Sequence, residues 1–409
     1  MRADSLRCDT TIAGTLFREV SSLHIMPKFF SPERFGVPQA IAVFLLLCFF
    51  AQCAYFVSHV PLTQLEGTYL LEGIAILGGQ THGGTAQHSP LPALVSVAGI
   101  APYVLSHHAQ VDQFSLDRLR WLVRAPFLLA GLMLGGSLWY VARRLYGNAG
   151  AYCALALYAF SPAVIARSSL AGPEILAAWA CFGLIFTAIA TAHTLYAPRE
   201  VVLWNWKRIV LLGGSIGIAV GSQWSLVWLL VPALAFMFWA VPHRRAAAAV
   251  IVLAACCFAF VILDVSFGAS IPAMFRALRH AHWLGLAAPA GVAIVPLASF
   301  WINASAATAV AFVVAVVTFA AWRRTRFFGN LAPLIIALML TAMGLLLPQS
   351  GSAGNFFYAL PFYMLFSAGV FADLIESRLP DAPIALMFVL VIGQAVYSMA
   401  GLMRVFGGR

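Results

Sequence analysis

Residues 126–142 read PFLLAGLMLGGSLWYVA and residues 150–166 read GAYCALALYAFSPAVIA, with Arg143-Arg144-Leu145-Tyr146-Gly147 between them. Neither run carries a charged side chain, and each approaches the roughly 20 apolar residues a helix needs to cross the hydrocarbon of a bilayer. In lipid no water is available to backbone N–H and C=O groups, so such runs must bond internally as helices. The arginine pair marks the turn between them as cytoplasmic, because short loops rich in Lys and Arg stay inside.

The same alternation extends along the chain. Apolar runs fall at about 38–60, 126–142, 150–166, 174–194, 208–222, 225–241, 247–267, 303–322, 331–347, 357–374 and 384–403, giving an all-α, polytopic membrane protein of about eleven spans. Besides Arg143 and Arg144, the groups Arg199, Lys207 and Arg208, then Arg244 and Arg245, then Arg323, Arg324 and Arg326 fall on the same side. The N-terminus is then cytoplasmic and the C-terminus outside, in what reads as a bacterial inner membrane. The composition agrees: 62% of the 409 residues are hydrophobic and 9% charged, against about 25% charged in an average soluble domain. A soluble globule is excluded, and the net charge of +10 reads as topology, with no nucleic-acid partner implied.

Residues 1–37 form a mixed-charge cytoplasmic tail and 38–409 the transmembrane domain. The side opposite the arginines carries two long connections, 61–125 and 268–302, and functional residues gather on long loops held by a rigid scaffold. The first holds Glu66, Glu72, His82, His88, His107, His108, Asp112 and Asp117; the second holds Arg276, Arg279, His280 and His282. The seven cysteines avoid these loops, which argues against disulfides or a cysteine zinc site. Without a His-Glu-x-x-His pattern, no histidine metal site is expected either. A divalent ion held by carboxylates and a substrate phosphate is left open.

The first loop opens with Leu65-Glu66-Gly67-Thr68-Tyr69-Leu70-Leu71-Glu72-Gly73-Ile74-Ala75-Ile76-Leu77, an amphipathic stretch suited to a helix lying on the membrane surface. Glu72 lies about 120° around that helix from Glu66, so the two do not act as a pair. A glycine-rich turn and His88-Ser89-Pro90-Leu91-Pro92 follow, and Arg118, Arg120 and Arg124 precede the second span, where Pro126 stands. With Ala142-Arg143-Arg144-Leu145-Tyr146-Gly147, Phe160-Ser161-Pro162 and Phe357-Tyr358-Ala359-Leu360-Pro361, this order of residues resembles the GT-C superfamily of integral-membrane glycosyltransferases. Within it, the chain looks most like the protein mannosyltransferase and aminoarabinose transferase type.

The resemblance implies inverting transfer of a sugar from a polyprenyl-phosphate donor to an acceptor on the outer face. Glu66 then matches a carboxylate that acts as, or beside, the general base, and Glu174 matches a second acidic position. Arg124 matches a basic residue that could meet the donor phosphate, with Arg120, Arg276 and Arg279 as further cations, and Tyr69 and His88 fall in the substrate-binding segment. The residue types suit the chemistry: a carboxylate at the membrane edge takes the acceptor proton, and arginine forks stabilise charge on phosphate oxygens. The chain departs from the pattern at Gly221-Ser222-Gln223-Trp224 and Gly354-Asn355-Phe356, where relatives commonly carry basic residues. The alternative is therefore a non-catalytic GT-C-like scaffold subunit with partner chains in a larger membrane complex. Sequence names neither the sugar, the acceptor nor a cofactor.

Overall fold

The computed structural model describes residues 36–79, 88–101, 116–195, 206–281, 305–346, 354–377 and 381–407. Residues 1–35 of the N-terminal segment and His82, His107, His108, Asp112 and His282 lie outside these. The chain divides into two compact units, 1–40 and 41–409; only the second is discussed below. All regular structure among the described residues is helical.

The helices are α1 (Val37–His59), α2 (Gln64–Leu77), α3 (Leu91–Val97), α4 (Leu116–Ala159), α5 (Pro162–Ser168), α6 (Pro173–Leu195), α7 (Trp206–Ser222), α8 (Val227–Ala240), α9 (Arg245–Ser266), α10 (Ile271–His280), α11 (Ala306–Ala321), α12 (Phe328–Leu346), α13 (Gly354–Ile375) and α14 (Asp381–Gly407). Seven described helices, α1, α4, α6, α9, α12, α13 and α14, are long and apolar enough to cross a membrane. An eleven-span count divides α4 in two and adds α7, α8 and α11, which are 17, 14 and 16 residues long. Helix length alone does not fix that count.

The division of α4 is physical. Gly147 has φ 72° and ψ −164°, a region open to glycine alone, so the helix cannot run straight through it. Gly131 and Tyr158 would stand about 40 Å apart along a continuous helix at 1.5 Å per residue. Instead the Tyr158 hydroxyl donates to the Gly131 carbonyl, so the two arms fold back against each other as a hairpin.

Helix α13 forms the centre of the bundle, buried almost continuously from Phe356 to Ala372 and packed on α4, α6, α11 and α12. The Phe362 ring meets Phe182 and Phe186 of α6 at centroid distances of 5.4 and 6.1 Å. Along the α7–α9 seam, a Cβ on Gly213 would fall 2.6 Å from the Ala255 carbonyl oxygen, and one on Gly217 would fall 3.1 Å from the Ala259 Cα. Small residues let backbones approach this closely, the usual way helices associate where lipid replaces water. Side-chain amides add directional bonds: Gln394 Oε1 on α14 accepts the Ala307 N–H at 2.8 Å, and Gln52 on α1 donates to the Ala159 carbonyl at 3.1 Å.

The surface helix expected after the first span is α2, and it crosses α3 closely: a Cβ on Gly73 would lie 2.3 Å from the Ala93 carbonyl oxygen. Two arginines of the basic turns mark the far end of α6. Arg244 and Arg208 donate to the carbonyls of Leu195 and Ala190 at the last turns of α6, so Glu174, at the start of α6, belongs to the opposite end of the bundle.

Candidate active site

The site begins with a helix cap. Thr63-Gln64-Leu65-Glu66 is a capping box, in which the first and fourth residues satisfy each other's backbone N–H groups. The Glu66 N–H donates to Thr63 Oγ1 at 3.3 Å, and the Thr63 N–H donates to Glu66 Oε2 at 2.8 Å. Arg124, from the first arm of α4, grips the same carboxylate in fork fashion, Nε to Oε1 and Nη2 to Oε2, both at 2.7 Å. The Ala171 N–H, from the bend between α5 and α6, donates to Oε1 at 2.8 Å.

A carboxylate offers about four acceptor positions, and these four donors fill them. Glu66 is 2% exposed and Arg124 0%. Burial favours the neutral acid, but the Arg124 fork, the Ala171 and Thr63 N–H groups and the charge of Arg124 together outweigh it and hold the Glu66 carboxyl below its ordinary value. In this arrangement Glu66 is shielded and fully bonded, with no acceptor position open to a substrate hydroxyl, so of the two roles expected for it, as or beside the base, the geometry suits the second.

Arg124 is engaged to the same degree. Its remaining N–H groups reach the carbonyls of Val57, Val60 and Pro61 at 3.5, 2.7 and 2.8 Å, closing the C-terminal end of α1, where carbonyls lack helical partners. All five guanidinium donors are thereby in use, and none is left for a phosphate. Arg120 donates to the Ser58 carbonyl beside it at 3.1 Å.

One turn along α2, the Tyr69 hydroxyl lies 3.1 Å from His88 Nε2, and His88 Nδ1 lies 2.9 Å from the Ser89 carbonyl oxygen. The carbonyl requires a proton on Nδ1, which leaves Nε2 of the neutral ring to accept from Tyr69. Burial lowers the His88 pKa, against the Ser89 carbonyl and the Glu174 charge. Burial also raises that of Tyr69, with Glu174 and Glu72 adding to it. The segment is pinned by Ser89, whose N–H and hydroxyl both donate to the Gly221 carbonyl at 2.9 Å.

Glu174 follows Pro173 in the first turn of α6, where the helix dipole favours an anion. It is ion-paired with Arg167, at the last turn of α5; the two side chains are 21% and 35% exposed. Its charge reaches Tyr69, His88 and the buried Tyr358 of α13. Five of the expected residues therefore share one neighbourhood: the Ala171 N–H ties Glu66, with Arg124, to the bend that leads into Glu174, and the Tyr69–His88 pair lies within reach of the Glu174 charge. Arg276 and Arg279 lie on the exposed face of α10, and neither forms an ion pair among the described residues. Sequence reading missed Arg167, Tyr358 and the Thr63 cap. The capping box was legible as a motif, and Arg167 as an arginine closing an apolar run just before a Gly-Pro bend.

For a divalent ion the donor set is poor. Among the described residues no three His, Cys, Asp or Glu side chains gather, and the Glu66 oxygens already face N–H donors. Glu174 alone would be a single ligand.

Comparison with known proteins agrees with this architecture. Residues 100–267 match the dolichyl-phosphate-mannose-protein mannosyltransferase family. ArnT from Cupriavidus metallidurans is similar in structure over 89% of this chain, with TM-score 0.55 and 14% identity in the apo state, and 0.57 and 17% bound to undecaprenyl phosphate. The archaeal oligosaccharyltransferase AglB from Archaeoglobus fulgidus, in complex with an inhibitory peptide and a dolichol-phosphate, is similar over 91% of this chain, with TM-score 0.59 and 13% identity. The chain has the GT-C fold. It spans 74% and 64% of the two ArnT chains and 56% of AglB, so these GT-C proteins extend beyond what it matches. No curated protein sequence is significantly similar.

Proposed function

We propose that this chain is a glycosyltransferase that moves a sugar from a polyprenyl-phosphate carrier to an acceptor on the extracytoplasmic face of a membrane. The observation that carries the reading is the partly exposed Glu174, held in a GT-C fold at the end of the bundle opposite the arginine-rich turns. In inverting displacement the acceptor oxygen attacks the anomeric carbon as its proton passes to a carboxylate. Glu174 has that role here, since Glu66 is closed to it. Glu66 acts instead as a positioning residue: with Arg124 and the Ala171 N–H it ties α1, α2, α4 and the bend before α6 into one unit, fixing where Glu174 stands. Tyr69 and His88 line the acceptor side, with the neutral imidazole orienting the tyrosine hydroxyl.

The test is transfer by the purified protein in lipid nanodiscs, supplied in turn with undecaprenyl phosphates carrying different hexoses or aminoarabinose and with the membrane's own acceptors. Released undecaprenyl phosphate is read by mass spectrometry. Glu174→Gln should reduce release at least a hundredfold with the melting temperature unchanged, the scale on which removing a positioned general base acts. Stable co-purification with other chains, and no release from any donor, would establish the scaffold alternative.

A further inference from the structure

We propose that Arg167 receives the phosphate of the lipid carrier, and that it does so by leaving Glu174. The inference rests on the transferase reading above and adds the cation that reading lacks.

Four arginines could meet a phosphate from sequence position alone, and the structure ties two of them, Arg124 and Arg120, to other groups. Arg124 is fully buried with all its donors in use, and Arg120 turns back to the end of α1. Arg276 and Arg279 lie on the exposed face of α10 and have no carboxylate partner among the described residues. Arg167 differs from all of these. It is about a third exposed, and its charged partner is the one carboxylate proposed to do chemistry. The bend Ser169-Leu170-Ala171-Gly172, anchored by the Ala171–Glu66 bond, sets the two side chains against each other across the α5–α6 junction.

The charge balance gives the exchange its purpose. Without substrate, Arg167 and Glu174 neutralise each other, and burial favours the neutral forms of Tyr69 and His88. A phosphate brings one or two further negative charges and three acceptor oxygens that suit a guanidinium fork. It therefore competes with the carboxylate for the same cation. Once Arg167 turns to the phosphate, Glu174 is left with open lone pairs and no counter-cation, the state in which it can accept a proton. The base is thus released when the donor is in place and held otherwise, which restrains idle hydrolysis of the carrier. In the transfer step the acceptor oxygen bonds to the anomeric carbon and the bond from that carbon to the phosphate oxygen breaks. The electron pair stays on the phosphate beside Arg167, and the acceptor proton passes to Glu174.

Binding of undecaprenyl phosphate, with undecaprenol as the control, tests this apart from turnover. It is measured on the full chain in nanodiscs by titration of the melting temperature. The wild-type protein should bind the phosphate and not the alcohol. Arg167→Gln should bind at least tenfold more weakly, with Arg167→Lys between. Glu174→Gln, which removes the competitor for Arg167, should bind several-fold more tightly than wild type. If wild type binds but Arg167→Gln binds equally well, or Glu174→Gln gains nothing, the exchange is wrong and the transferase reading stands. If wild type fails to distinguish the phosphate from the alcohol, both fall. The Glu174→Gln result does not depend on Arg167 variants folding.

Discussion

Replacing Arg124 with methionine removes five hydrogen bonds at once. Glu66 would keep only the Thr63 and Ala171 N–H groups, and its charge would stay 2% exposed without a cation. The Val60 and Pro61 carbonyls would lose their donors as well. Stranding one partner of a buried ion pair costs about 3–5 kcal/mol, and since both groups are almost wholly buried, solvent screening gives no discount. Unfolding in mixed detergent micelles should show a loss of that size for Arg124→Met. The double variant Arg124→Met with Glu66→Gln should regain more than half, because the amide oxygen still accepts while the stranded charge is gone. The sign with pH follows from the depressed carboxyl. The unfolded chain takes up the Glu66 proton near its ordinary value of about 4.5, whereas the folded chain resists until lower pH. The contribution is therefore complete above about pH 4.5 and drains away as pH falls through the folded value. Glu66→Gln should lack that acid limb. A loss under about 1 kcal/mol in Arg124→Met, or an unchanged acid limb in Glu66→Gln, would refute the clamp.

Gly147→Ala should cost about 1–3 kcal/mol, the usual strain of a side chain in that backbone region, read as a lower unfolding midpoint. Gly217→Leu forces α7 from α9 and should cost at least about 1–3 kcal/mol through overpacking, whereas Gly136→Leu, whose Cβ would meet nothing within 4 Å, should cost far less in the same assay. His88 titrates opposite to a stabilising histidine: its folded pKa is lowered, so acidification below about 6.5 favours opening of the segment. Hydrogen exchange around Ser89 should rise there in wild type and not in His88→Asn. Tyr69→Phe, losing one neutral hydrogen bond, should cost about 0.5–1.5 kcal/mol by unfolding midpoint.

The membrane architecture was legible because hydrophobic length and the placement of arginines are direct physical requirements of a bilayer. The neighbourhood was legible too, since Glu66 and Arg124 both fall at the same end of the first two spans. What sequence could not show was how those groups divide their hydrogen bonds. Glu66 is three residues from Thr63, 58 from Arg124 and 105 from Ala171; only the first relation is local enough to read as a motif. The partners that turn a candidate base into a structural node arrive by tertiary packing. The role of Arg167 was hidden for a related reason: it stands one residue beyond the hydrophobic segment 150–166, and its partner lies past a Gly-Pro bend whose direction hydropathy does not give.

The glycine seam between α7 and α9 restricts traffic within the bilayer. With the Ala255 oxygen already where a methyl group on Gly213 would be, no hydrocarbon tail can thread between these two helices. Under the proposed reading, an isoprenoid bringing its cargo to Glu174 must therefore lie along some other flank of the bundle.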